Sequence, residues 1–119
     1  MMKMFVDPPA VYLHRDPIDF RVGINGLAAR VEGAMALQPF SGALFLFTNR
    51  GRDKIKILYW DQTGFALWMK RLEEARFVWP KRLSETVLTL TEEQLQWVLA
   101  GYDITLMKPH PSLVYQRVS

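Results

Sequence analysis

The chain predicts an α+β domain: an antiparallel β meander of three to five strands packed against one long N-terminal helix, with a second short C-terminal helix. Three observations carry that class. Apolar runs at residues 43–47 and 55–60 flank the polar segment 48–53, with Asn49-Arg50-Gly51-Arg52-Asp53 at its centre. This is a hairpin signal, because Asn and Gly accept left-handed backbone angles. Asp61-Gln62-Thr63-Gly64 then makes a tight-turn tetrapeptide ahead of a third run at 65–72. Finally, apolar residues recur at three- and four-residue steps on both sides of this region, as helices require.

Taken in order, residues 1–9 are expected to form a loose arm and 10–14 a short edge strand. Asp16 can cap a helix, Pro17 suits its first position, and Asp19 puts a carboxylate in its first turn. Phe20, Ile24, Leu27, Val31 and Met35 then give one apolar face through about Leu37, and Gln38-Pro39 ends it. Gly23, Gly26 and Gly33 inside that span would each cost about 1 kcal/mol relative to alanine, so close packing against a sheet is the expected compensation.

Residues 65–72 also fit a helical stripe through Phe65, Trp68, Met69 and Leu72, but the preceding turn and the aromatic content favour strand. If Asp61 and Gly64 close the turn, Trp60 faces Phe65, Leu58 faces Leu67, Lys56 faces Met69 and Lys54 faces Arg71. On the other face Ile57 meets Trp68 and Ile55 meets Lys70. Like charges directly opposite one another are destabilising by up to about 1 kcal/mol. Lys54 against Arg71, with Arg50 and Arg52 in the adjoining loop, is therefore a cost unless an anion sits there. The alternatives are cationic chains splaying into water, or a bulge that changes the register.

Residues 76–80 (Arg-Phe-Val-Trp-Pro) suggest a short fourth strand and 86–90 an extended piece. Thr91 with Gln94 three residues on forms a capping box, Leu90 against Leu95 a hydrophobic staple, and Gly101 a terminator, so the second helix is well signalled. Residues 1–103 are expected to be one globular domain and 104–119 an irregular tail.

The chain has 119 residues, half of them apolar and 13% aromatic, which suits one domain with a real core and excludes a disordered chain. It has no cysteine, which removes disulfide and thiolate chemistry and fits a cytoplasmic location. No apolar run approaches the roughly 20 residues of a membrane helix, so no membrane partner is expected. The net charge of +3 is unevenly distributed: residues 1–49 are neutral, 50–82 carry +5 and 83–119 carry −2. A polyanion would be drawn to the middle third. The candidate nucleic-acid-binding residues are accordingly Arg50, Arg52, Lys54, Lys56, Lys70, Arg71, Arg76, Lys81 and Arg82. Asn49 or Arg52 would be the base-edge candidates of a projecting hairpin. Trp60, Trp68 and Trp79 are candidates for stacking on unpaired bases, with core burial expected for at least two of them.

Catalytic signals are weak. Asp53 and Asp61 sit at opposite ends of one strand, and both suit turns. His14 with Asp16 lacks a third metal ligand, and His110 lies between prolines. Ser41-Gly42 lacks a hydrolase elbow's setting, and no glycine-rich phosphate loop is present. Neither enzyme activity, nor a metal, nor a cofactor is expected.

Several blocks in a fixed order resemble one known family. They are Asp19-Phe20-Arg21 with Gly26-Leu27, residues 39–47 (PFSGALFLF), 56–61 (KILYWD) with Gly64-Phe65, 70–73 (KRLE), 76–80 (RFVWP) and 91–103 (TEEQLQWVLAGYD). The chain resembles, from about residue 12 to 103, the small accessory protein encoded beside the transposase in bacterial insertion sequences of the group numbered sixty-six. It departs from the family's usual basic block after Arg21, where Val22 and Gly23 stand. The resemblance implies a non-catalytic accessory role in transposition, strand transfer belonging to a larger separate protein, and it supplies no catalytic residues to carry over. The expected partners are DNA at the element ends through the basic hairpin or, alternatively, the transposase or a fellow accessory protein bound without DNA contact.

Overall fold

The computed structural model describes residues 8, 10–80 and 85–106. Its elements are β1 (Val11–His14), α1 (Ile24–Glu32), β2 (Leu44–Thr48), β3 (Lys54–Asp61), β4 (Gly64–Arg71), β5 (Val87–Leu90) and α2 (Glu92–Leu99). The five strands make one sheet in the order β4-β3-β2-β1-β5.

The α+β class and the β2–β3–β4 meander follow the sequence expectation, and residues 64–71 are strand. Every predicted cross-strand pair of β3 and β4 is present, from Trp60 opposite Phe65 to Lys54 opposite Arg71. The sheet as a whole is mixed rather than antiparallel. β1 runs parallel to β2, with Val11 beside Leu44, and antiparallel to β5. A parallel neighbour needs a crossover, which α1 supplies. β1 is thus an inner strand, not the edge strand expected, and Val11, Leu13 and His14 are buried.

The first helix is much shorter than its apolar periodicity suggested. Ile18 is drawn into a parallel bridge with Asn49, its N–H donating to the Thr48 carbonyl at 2.9 Å, so the segment after Pro17 is extended. Asp19 accepts from Arg21 instead of capping a helix. The helix begins only after Gly23, which offers no side-chain cap, and ends at Gly33. Those two glycines are therefore boundaries rather than interior positions. A Cβ at Gly26 would meet the Val22 side chain rather than the sheet. Leu27, Val31 and Met35 of the predicted stripe are buried, whereas Ile24 is exposed and Phe20 half-buried, so the stripe marked its last three positions as core and overran the helix.

α2 matches its signals. Thr91 and Gln94 form the reciprocal capping box. Gly101 takes φ +91°, and the Tyr102 and Gly101 amides donate to the Trp97 and Val98 carbonyls, a Schellman motif. The two helices lie on opposite faces of the sheet. α1 packs on Phe45, Phe47 and Leu58, and α2 on Leu44, Leu46, Ile55 and Ile57. A fully buried ring such as Phe45 contributes about 2–3 kcal/mol by removal from water.

Residues 76–80 add no strand. They cross the end of the sheet, where the Phe77 amide donates to the Arg52 carbonyl at 2.6 Å and the Trp79 indole to the His14 carbonyl at 2.9 Å. Ile104 is buried in the α2-side core.

Candidate nucleic-acid interface

The carboxyl ends of β1 and β2 lie side by side, and the loops that leave them face one another. In parallel sheets such a crevice is the usual place for a ligand. The loop after β2 is tightly built. Asn49 donates from Nδ2 to Asp53 Oδ1 at 2.7 Å and accepts the Lys54 amide at 3.1 Å, while Arg52 holds φ +57° with its amide on the Asn49 carbonyl. These bonds engage Asn49 inside its own loop, so it is a framework residue there. In this loop Arg50 is exposed and Arg52 half-buried.

Arg50 stands between two grooves. One, of about 260 Å³, has Arg15, Arg50 and Arg52 at its rim and Pro17, Trp79 and Pro80 as apolar wall. The other, of about 620 Å³, joins Arg50 and Lys54 to Arg21 and Phe20 of the opposing loop. A third, of about 340 Å³, holds Arg76 beside Asp53, Glu73 and Glu74, and its carboxylates outnumber its cation.

The predicted cations divide by what they touch. Among the described residues, the Arg50 and Arg52 guanidinium groups make no ion pair or hydrogen bond. Lys54 lies 3.5 Å from the Asp53 carboxylate, and Arg71 makes two bonds to Glu73 at 3.1 and 3.4 Å. The like-charge pair at the end of the ribbon is thus relieved by carboxylates of the same chain. Lys56 bonds the Phe20 carbonyl at 3.0 Å and sits 4.7 Å over the Phe20 ring. Lys70 points to the other face and donates to the Leu99 carbonyl at 2.8 Å, near the end of α2. Both serve the fold. Lys81 and Arg82 lie outside the described residues.

Two cations at this crevice, Arg15 and Arg21, belong to the β1–α1 loop and were not among the sequence candidates. Arg21 is held by Asp19, whose carboxyl is lowered to about 2 by the Arg21 side-chain bonds and then by the Arg21 amide. Arg15 likewise lowers Asp16, and the Asn49 bond lowers Asp53. These acids stay ionised at neutral pH, so an incoming anion meets fixed charge of both signs and finds unpaired positive charge on Arg50 and Arg52.

Of the tryptophans, Trp79 is buried, whereas Trp60 and Trp68 are half-buried. Trp60 is six residues along β3 from Lys54, about 20 Å at 3.3 Å per residue, so it cannot stack on a base held at the arginines. His14 is buried, its Nδ1 on the Asp16 carbonyl at 2.8 Å and its ring against Phe47. Among the described residues, no three His, Cys, Asp or Glu side chains gather as a metal site, and no helix is long and apolar enough to cross a membrane.

A family model described as IS66 Orf2 like protein matches residues 9–109. The chain belongs to this family. The IS66 Orf2-like protein is 36% identical to the uncharacterized protein y4jC of Sinorhizobium fredii over 95 residues, 80% of each chain. It is 34% identical to y4hO of the same organism over 93 residues, covering 78% of this chain and 80% of the other. No solved structure matches it. The family sets this IS66 Orf2-like chain among the accessory proteins of insertion-sequence transposition. Its Asp19-Phe20-Arg21 block, one of the resemblance blocks, contributes Asp19, Phe20 and Arg21 to the wall opposite Arg50. That block was the signal that could have found Arg21.

Proposed function

We propose that this protein is a non-catalytic accessory factor of transposition that contacts DNA at the element ends through the arginine crevice at the carboxyl ends of β1 and β2. The observation that carries this reading is the pair of guanidinium groups, Arg50 and Arg52, that make no ion pair or hydrogen bond among the described residues, flanked by Arg15 and Arg21 across the groove. Guanidinium groups at such a rim neutralise phosphates, giving affinity with steep salt dependence and little base discrimination. Lys54 and Arg71 contribute less, because a phosphate would have to compete with Asp53 and Glu73.

The test is fluorescence anisotropy with terminal DNA of the element across a salt series. The parent should bind, and Arg50→Glu with Arg52→Glu should weaken binding roughly tenfold or more and flatten the salt slope by about two. Undiminished affinity in the double variant would remove the reading. A second reading, an adaptor that binds the transposase or a fellow accessory protein, is favoured by exposed aromatics at the opposite end, where Phe40 is 53% exposed against Trp60 and Phe65. A parent that fails to bind DNA even at low salt would point to that adaptor.

A further inference from the structure

We propose that residues 76–80 are a strap that sets the spacing of the crevice arginines, with Trp79 as its positioning residue, an inference that rests on the DNA-binding reading. Two of its bonds each hold a peptide group next to an arginine. The Trp79 indole donates at 2.9 Å to the His14 carbonyl, which belongs to the peptide leading into Arg15. The Phe77 amide donates to the Arg52 carbonyl at 2.6 Å. Phe77 and Trp79 are two residues apart, so at most about 7 Å of chain connects the hold on one loop to the hold on the other.

The strap is itself anchored. Phe77 and Trp79 are 2% and 3% exposed in the α2-side core, while Val78 between them is 41% exposed. Trp79 and Pro80 also form part of the wall of the groove whose rim holds Arg15, Arg50 and Arg52. Arg52 has φ +57°, a left-handed angle that a non-glycine residue keeps only where its surroundings hold it. Its amide on the Asn49 carbonyl at 3.0 Å holds one side, and the Phe77 amide holds the other.

The Ile18 bond to Thr48 ties the two loops together on the Arg21 side of the crevice. The strap ties them on the Arg15 side. Guanidinium groups already held at a fixed spacing meet several phosphates without first having to be ordered, which favours binding. Trp79 carries no charge, and it acts through the position of Arg15.

Anisotropy with the element's terminal duplex tests this, comparing Trp79→Phe, Arg15→Gln and the double variant of the full chain. Trp79→Phe removes the indole N–H and keeps an aromatic ring. It should weaken binding about three- to tenfold and flatten the salt slope, although no charge is lost. In the Arg15→Gln background the same change should weaken binding less than about twofold, because the group it positions is gone. A tryptophan that only stabilised the fold would lower the urea midpoint and leave the affinity and salt slope of the folded protein alone. Benzothienylalanine at position 79, with sulfur in place of the N–H, fills the same space and carries the comparison if Trp79→Phe unfolds the chain. Parent-like affinity in the folded variants at position 79, or an equal loss with and without Arg15, overturns the strap and leaves the DNA reading standing. A parent that fails to bind at low salt overturns both.

Discussion

At the turn end of the β3–β4 ribbon, Trp60 and Phe65 face each other and gather Phe40 as a third ring, with centroids 5.0 to 5.4 Å apart. At the other end Lys54 faces Arg71, and each turns away to a carboxylate. Both pairs sit in the same ladder and obey the same register. Apolar partners satisfy one another, so the aromatic end is built from the ribbon and one loop residue. Like charges cannot do so, and the charged end depends on third parties: Asp53, Glu73 and the Asn49 loop. Arg50 and Arg52, which make no ion pair there among the described residues, are the charges that the proposed DNA contact would use.

If this division holds, damage to the two ends should separate stability from binding. The largest stability effect is expected from Phe65→Ala. Truncating a fully buried phenylalanine costs about 3–5 kcal/mol, so a half-buried ring in a three-ring cluster should cost about 2 kcal/mol in urea unfolding. DNA affinity should be unaltered. A loss of affinity would mean that the ends are coupled.

Asn49→Ala should cost about 1–2 kcal/mol, because it leaves the Lys54 amide without its acceptor and removes one of the bonds to the Asp53 carboxylate. It removes no charge, yet it should weaken DNA binding by loosening the loop that presents Arg50 and Arg52. Equal affinity with reduced stability would show that charge alone, not loop geometry, governs binding.

The smallest effect is on the pH dependence of stability. Burial holds His14 below its ordinary 6.5, so below that pH the unfolded chain binds more protons than the folded one. Stability should therefore fall as pH drops below about 6.5, with a slope of at most about 1.4 kcal/mol per pH unit from this group. Thermal unfolding of His14→Gln should lack that component. Asp19 behaves differently. With its carboxyl at about 2, its stabilising contribution is complete above 3.8 and is lost only as pH falls through about 2.

The register of β3 and β4 was legible because a tight turn sets every later pair. α2 was legible because its caps are contacts within a few residues. The candidate site was only half legible. Arg50, Arg52 and Lys54 stand at alternate positions of one hairpin, but Lys56 and Lys70 meet carbonyls 36 and 29 residues away, which no local pattern reveals. Arg15 and Arg21 join the crevice because Ile18 bridges to Asn49. The same segment carried genuine helix-start chemistry in Asp16 and Pro17, and a long-range backbone bond outweighed it.

By itself, the amino-acid sequence determined the α+β class, the hairpin register, the core positions Leu27, Val31 and Met35 and the caps of the second helix. These follow from turn geometry and periodicity, which act over a few residues. Only the tertiary structure decided that β1 lies inside the sheet parallel to β2, that the helices take opposite faces, and which cations remain unpaired. Each of those depends on where distant backbone groups find hydrogen-bond partners, and burial makes such partners obligatory without naming them in advance.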